Sequence, residues 1–288
     1  RKWDDVINCF EEDISFTRKY LLEKRIVPFS LFEVDVVEIN DASSQENYKV
    51  LNYVSRDITF MKPKVLSIGL GSEDQEEGVI STICYSSENY NRIVSWKRQG
   101  NNDVSKVEGE ADLLEDFKKC VKDQRPDIIL FQESSRGLGY ILQRAKKYRI
   151  RLNINIDGTD PFINYFSRVR TMGINEIFIE RVIRNFTDFN MGEDMAEAYK
   201  KITEVLDLTA MMNEDSIHDN LFRLLYNRTK LNYAMFNKLY DNGLTEIFKL
   251  IGLRAADLLN FRLNTILEWM MIKHCFDDGK IVLNKPSE

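Results

Sequence analysis

Proline and glycine are scarce, at 5 and 13 of 288 residues. So few chain breakers leave no room for a flexible low-complexity linker or a collagen-like segment, and no self-similar period of about 20–50 residues marks a solenoid. Histidine is scarcer still, with only His218 and His274, and the four cysteines, Cys9, Cys84, Cys120 and Cys275, include no Cys-x-x-Cys pair. This argues against a zinc ribbon, a zinc finger or a disulfide framework, and the usage suits a reducing cytosol. No apolar run reaches the roughly 18–20 residues of a membrane span. Residue 1 is Arg with no signal-like segment behind it, so the chain reads as a soluble cytoplasmic piece of a longer protein. Basic side chains number 40 against 46 acidic ones, a net charge of −6, which argues against a surface that is basic throughout but allows a local basic patch.

What is present divides the chain. KVLSIGLG (64–71), GVISTICYS (78–86) and RIVSW (92–96) are short apolar segments with close connections, the pattern of an antiparallel meander. In EGEADLLEDFKKCVKD (108–123), Ala111, Leu114, Phe117 and Val121 recur at helical spacing until Pro126 ends the pattern. PDIILF (126–131) is a continuous apolar run suited to the buried centre of a sheet, and LGYILQRAKKY (138–148) is helical again. The order β-β-β-α-β-α predicts an α/β ribonuclease-H-like fold: three antiparallel strands, then a strand made parallel by a helical crossover.

From about residue 193 the pattern is mostly helical. Its stripes are Ala198, Ile202 and Val205; then Leu221, Leu224, Leu225, Leu231 and Met235; then Leu263, Ile266, Leu267, Met270 and Met271. These stripes read as core rather than as cofactor-binding surfaces. The expected division is 1–63 as part of an N-terminal domain, 64–240 as the α/β domain and 241–288 as a helical segment. SLFEVDVVEI, in the first part, need not join the central sheet.

Two Gly-Leu-Gly tripeptides, 69–71 and 137–139, invite a nucleotide-binding reading, but GLGSED lacks the third glycine of a dinucleotide fingerprint. The two histidines offer little as bases for a serine or cysteine nucleophile, since His218 precedes one helical stripe and His274 lies within another. Segment 136–151 holds Arg136, Arg144, Lys146, Lys147, Arg149 and Arg151 with no acidic residue, and Tyr140 and Tyr148 lie among them. Such a stretch suits either a solvated helix face or a surface that meets phosphates by charge and stacks bases on its rings.

PKVLSIGLGSED (63–74), PDIILFQESSRGLGYILQRAKKYRI (126–150) and the last 27 residues, RLNTILEWMMIKHCFDDGKIVLNKPSE, together resemble the exonuclease region of family B DNA polymerases of the archaeal type. FEEDISFTRKYLLEKRIVPF (10–29) is similar to the segment before that domain, and the closing Asn-Lys-Pro-Ser-Glu to the entry into the polymerase palm. The resemblance implies a 3′–5′ exonuclease fold, a proofreading reaction with two metal ions, DNA as single strand or primer–template, and palm and fingers domains in the same parent chain. It also locates the metal ligands. The first motif, Asp-x-Glu, aligns with Gly69 and Gly71; the aspartate of the second falls on Gly137; and the third, Tyr-x-x-x-Asp, keeps Tyr226 but has Lys230 at its last position.

All four ligand positions lack a carboxylate, and two-metal hydrolysis requires such oxygen ligands. The expectation is an inactivated exonuclease-like region with no cofactor of its own, Mg²⁺ being needed only in the parent's palm. The acidic run Glu73, Asp74, Glu76 and Glu77 reads as a solvated turn rather than a replacement ligand set. The region then serves as a scaffold that contacts DNA through Arg136, Tyr140, Arg144, Lys146, Lys147 and Arg149, associated with a prokaryotic nucleoid. The alternative is a wholly degenerate polymerase homologue acting as a non-catalytic replication partner.

Overall fold

The computed structural model describes residues 14, 16–39, 47–72, 78–97, 104–164, 169–186, 195–209, 211 and 221–280. The chain forms two compact units, one made from residues 1–62 together with 243–288, the other from 63–242. The first unit opens with helix α1 (Phe16–Glu23) and the long strands β1 (Ser30–Ile39) and β2 (Asn47–Phe60), paired as an antiparallel ribbon.

The second unit holds β3 (Val65–Ser72), β4 (Ile80–Ser86), β5 (Asn91–Ser95), β6 (Val104–Lys106), helix α2 (Glu110–Gln124) and β7 (Ile128–Phe131). They are followed by α3 (Leu138–Lys147), β8 (Phe162–Ile163), β9 (Val169–Arg170), β10 (Asn175–Phe178), α4 (Ile179–Phe186), α5 (Met195–Val205) and α6 (Leu221–Leu239). Six strands make one sheet in the order β10-β7-β3-β4-β5-β6. β3, β4 and β5 pair antiparallel, while β7 runs parallel to β3 and β10 parallel to β7. This is the meander with parallel extension expected of the ribonuclease-H-like fold. The sequence pattern missed the two outer strands β6 and β10.

Side chains alternate across β3. Leu66, Ile68 and Leu70 join the cluster that includes Leu113, Leu114 and Phe117 of α2 and Leu138 and Ile141 of α3. The opposite face, at Gly69 and Gly71, turns toward α6. β7 is buried throughout, as its unbroken apolar run requires. Among the expected helical stripes, Ala198 and Ile202 of α5 and Leu231 and Met235 of α6 are core. Val205 is 83% exposed, at the last residue of its helix, so the stripe is shorter than its spacing suggested.

One ion pair locks the second unit. Glu110, in the first turn of α2, is buried and accepts the Ile80 N–H at 2.8 Å, the Tyr148 hydroxyl at 2.8 Å, and Arg144 Nε and Nη2 at 2.8 and 2.5 Å. The start of β4, the start of α2 and the end of α3 thus meet at one carboxylate. Burial alone would raise its pKa, but Arg144, the Ile80 amide and Tyr148 outweigh burial and hold it below the ordinary value.

The first unit is completed by α7 (Thr245–Ile251), α8 (Ala255–Asn260) and α9 (Leu263–Asp277). Arg18 of α1 reaches Asp257 of α8 at 3.4 Å and lies over the rings of Phe261 and Trp269, at 4.8 and 5.1 Å. Arg254 holds the same carboxylate with two hydrogen bonds of 3.0 Å. In α9, Ile266 of the expected stripe is buried together with Trp269, while Leu263, Leu267 and Met271 are exposed, so only part of the stripe is core.

Glu110→Ala removes the carboxylate on which Arg144, Tyr148 and the Ile80 N–H converge and should cost about 3–5 kcal/mol in denaturant unfolding at pH 7. Because the Glu110 pKa is lowered by folding, its contribution is present above the ordinary glutamate value of about 4.3 and is lost as pH falls through the folded value. Unfolding at pH 7 and pH 3 should therefore show a smaller acid-induced loss in Glu110→Gln than in the parent chain.

Candidate functional site

At the C-terminal end of β3 the sheet faces α6 across a cleft of about 300 Å³. Its floor is Gly69, Gly71, Ser72, Ser81 and Thr82; α6 contributes Phe222, Leu224, Leu225, Arg228, Thr229 and Asn232; Lys97, Gln132, Glu133 and Arg136 complete the rim. The titratable lining among the described residues is three cations and one carboxylate. Among the described residues, no group of three or more His, Cys, Asp or Glu is placed to hold a metal ion.

The absence of side chains at Gly69 and Gly71 lets α6 approach. A Cβ added to Gly69 would collide with Thr229 Oγ1 and lie 3.1 Å from Leu225 Cδ1; one added to Gly71 would lie 3.2 Å from Leu225 Cδ2. Thr229 cannot easily turn away, since it is buried and its hydroxyl donates to the Leu225 carbonyl at 2.7 Å. The helix therefore blocks a side chain at position 69 and crowds one at position 71. One turn along α6, Lys230 Nζ lies 5.7 Å from the ring centre of Tyr226, an i,i+4 cation–π contact on one helix face.

Gly137, which precedes α3, is crowded in the same way. Its added Cβ would meet Glu176 Oε1 at 2.6 Å and Phe178 Cε1 at 2.8 Å. Glu176, on β10, accepts the Leu138 N–H at 2.6 Å and so caps the N-terminus of α3 with a carboxylate. Burial pushes its pKa up to about 7, with the Leu138 amide and Arg181 opposing the rise. Glu176 was not legible as a site residue from sequence. A single Glu in the segment Asn-Glu-Ile-Phe carries no signal until pairing with β7 brings it beside Gly137.

The basic stretch does not act as one surface. Arg136 lines the cleft and lies 3.6 Å from Glu133. Tyr140 donates its hydroxyl to the Gly78 carbonyl, and Arg144 and Tyr148 are tied to Glu110. Arg144, with its side chain 11% exposed, is thus an internal structural cation rather than a surface one. Lys146, Lys147 and Arg149 at the end of α3, and Arg151 beyond it, are exposed. The run Glu73, Asp74, Glu76 and Glu77 lies outside the described residues, as do His218, Cys9 and the closing Asn-Lys-Pro-Ser-Glu. His274 is exposed, with Asp278 at 3.8 Å, and burial pushes the Cys120 thiol up to about 12, so neither suits nucleophilic catalysis.

Gly69→Ala should destabilise the fold by about 1–3 kcal/mol through overpacking, and Gly71→Ala by less. Thr229→Ala should relieve the first substitution, so a double-mutant cycle read by denaturant unfolding should give a favourable coupling of about 1 kcal/mol or more. The pKa of Glu176 is raised by folding, so its contribution is complete below about pH 4.3 and lost as pH rises through about 7. Unfolding at pH 5 and pH 8 should show that loss, of the order of 1–3 kcal/mol, and Glu176→Gln should remove it.

The model of the family described as DNA polymerase family B, exonuclease domain, matches residues 7–216. The DNA polymerase of Pyrococcus glycovorans is 21% identical over 298 residues, covering 100% of this chain and 35% of the relative. That of Thermococcus kodakarensis is 23% identical over 299 residues, covering 100% of this chain and 16% of the relative. Among solved structures, the family B DNA polymerase from the hyperthermophilic archaeon Pyrobaculum calidifontis superposes with a TM-score of 0.70 at 15% identity, over 98% of this chain and 38% of that one. The chain therefore spans little more than a third, or less, of the length of each of these relatives. With a family match over most of its length and a ribonuclease-H-like sheet, the chain belongs to the exonuclease domain family of family B DNA polymerases.

Proposed function

We propose that this chain is the exonuclease-like region of a DNA-directed DNA polymerase in which the 3′–5′ hydrolytic centre is inactive, and that it serves replication or repair synthesis as a scaffold and a DNA-contacting domain. The observation that carries this reading is the packing of α6 against β3. Thr229 lies where a Cβ at position 69 would have to stand, and Leu225 crowds positions 69 and 71.

Phosphodiester hydrolysis in this family uses two metal ions, each held by carboxylate oxygens, to place the attacking water and stabilise the leaving oxygen. The residues at the corresponding positions do not fit that centre. Gly69, Gly71 and Gly137 supply no oxygen ligand from a side chain, and the fourth position holds the cation Lys230 in place of a carboxylate. No hydrolytic step is assigned to this region. Polymerisation, with its Mg²⁺, belongs to the palm of a longer parent chain, with which this region packs in a prokaryotic cytoplasm.

The DNA-contacting role rests on Lys146, Lys147 and Arg149, which stand exposed together at the end of α3. Arg144 and Tyr140 support it only by fixing α3, through Glu110 and Gly78. Contacts of this kind position a strand by its phosphates without reading sequence. No described helix is long and apolar enough to cross a membrane.

A 5′-labelled single strand incubated with the chain in Mg²⁺ or Mn²⁺ should keep its length, and progressive shortening would refute the reading. In the same system, replacing Lys146, Lys147 and Arg149 by Ala should weaken strand binding and reduce the log–log salt slope by about 2, at roughly 0.7 for each phosphate that is no longer neutralised.

A further inference from the structure

The turn that ends α3 is fixed at its backbone and at one ring. The Ile150 N–H donates to the Ala145 carbonyl at 2.9 Å and the Arg149 N–H to the Lys146 carbonyl at 3.1 Å, the paired bonds that close a helix through a residue in the left-handed region. That residue is Arg149, with φ 57°. The position ordinarily takes glycine, because a side chain there raises the cost of the conformation. Beside it, Tyr148 donates its hydroxyl inward to Glu110 Oε2 at 2.8 Å, and the Glu110 side chain is only 2% exposed. The tyrosine is therefore held by its polar end, yet the residue stays 40% exposed. Among the described residues, no other ring stacks on Tyr148, and Lys146, Lys147 and Arg149 are exposed with no ion pair.

We propose that this turn takes a single-stranded segment of DNA, with one unpaired base stacked on Tyr148 and the neighbouring phosphates met by Lys146, Lys147 and Arg149. The inference rests on the reading of this end of α3 as a DNA-contacting surface, and adds the form of DNA that it takes. Cations alone do not distinguish a duplex from a single strand, since both present phosphates. An exposed ring does, because every unpaired base offers a face for stacking whereas the bases of a duplex already cover one another. The tether to Glu110 makes the ring a fixed platform: rotamer freedom that a loose side chain would lose on binding has been lost on folding. Glu110 is thus a positioning residue, withdrawn from solvent and acting through the Tyr148 hydroxyl. The arginine at the glycine-favouring position supplies charge next to that ring at a backbone cost that glycine would avoid.

Fluorescence anisotropy of the 288-residue chain tests this with three labelled probes of equal length: an oligothymidylate, the same strand with abasic sites in place of its bases, and a blunt duplex. The oligothymidylate should bind about tenfold more tightly than the abasic strand, the factor expected of one stacked base. Tyr148→Leu should remove that factor and leave binding of the abasic strand and the duplex unchanged. The log–log salt slope for the oligothymidylate should be the same in Tyr148→Leu as in the parent chain, since stacking releases no counterion, whereas replacing Lys146, Lys147 and Arg149 by Ala should lower it. Tyr148→Phe loses the Glu110 hydrogen bond as Tyr148→Leu does but keeps the ring, so it should bind the oligothymidylate more tightly than Tyr148→Leu. Thermal unfolding, which both substitutions should lower alike, separates loss of the ring from loss of fold. Oligothymidylate binding that is no tighter than that of the abasic strand, that is equal in the parent and Tyr148→Leu, or that is equal in Tyr148→Phe and Tyr148→Leu overturns the proposal. Absent binding of all three probes, or binding unchanged in the triple alanine variant, overturns the DNA-contacting reading itself. Weaker binding of every probe by the triple variant, with none altered by Tyr148→Leu, overturns the inference alone.

Discussion

The second unit depends on how closely one helix lies on one strand. Two missing side chains on β3, at Gly69 and Gly71, admit α6 so near that Thr229 closes on position 69 and Leu225 on both. Close approach of this kind strengthens dispersion attraction and excludes water, and close-packed interiors leave little room for one more atom. Gly69 and Gly71 thus contribute to stability through the approach they permit. Gly137 is crowded likewise at the start of α3, where Glu176 from a different strand lies against it and caps the helix.

The fate of the basic residues follows from a second constraint, the cost of burying charge. Glu110 and Arg144 are both withdrawn from water, which is tolerable only because the carboxylate gathers donors from a backbone amide, a guanidinium and a phenol. Once formed, this junction fixes the end of α3 and sets which cations can face outward. Lys146, Lys147 and Arg149 remain exposed beyond it, while Arg136 turns to the cleft with Lys97 and Arg228. The positive charge of one sequence run is divided between a structural role, a surface and a concave site.

Much of the architecture was legible because its signals are local. Apolar runs of strand length, the 3.6-residue spacing of Leu114, Phe117 and Val121, and Pro126 after α2 led to the meander, the crossover helix and the parallel strand. β6 and β10 were missed because three or four residues with polar members carry too little periodicity. The resemblance at 63–74 and 126–150 led to Gly69, Gly71 and Gly137, and the Tyr226 motif to Lys230, but only the fold shows what surrounds those positions. Arg144 finds its partner 34 residues earlier in the chain, and Glu176 acts 38 residues after the amide that it caps. Such long-range pairings leave no trace in spacing.

The central claim is that the ancestral metal centre of this fold has been replaced by packing. A titration with Mn²⁺ followed by electron paramagnetic resonance tests it most directly, because a two-carboxylate site holds that ion and removes its free signal. The account predicts that the free Mn²⁺ signal grows in proportion to the metal added, with no specific uptake by the chain. Uptake of two ions per chain that is lost in Glu176→Gln, or that is displaced by Mg²⁺, would contradict it.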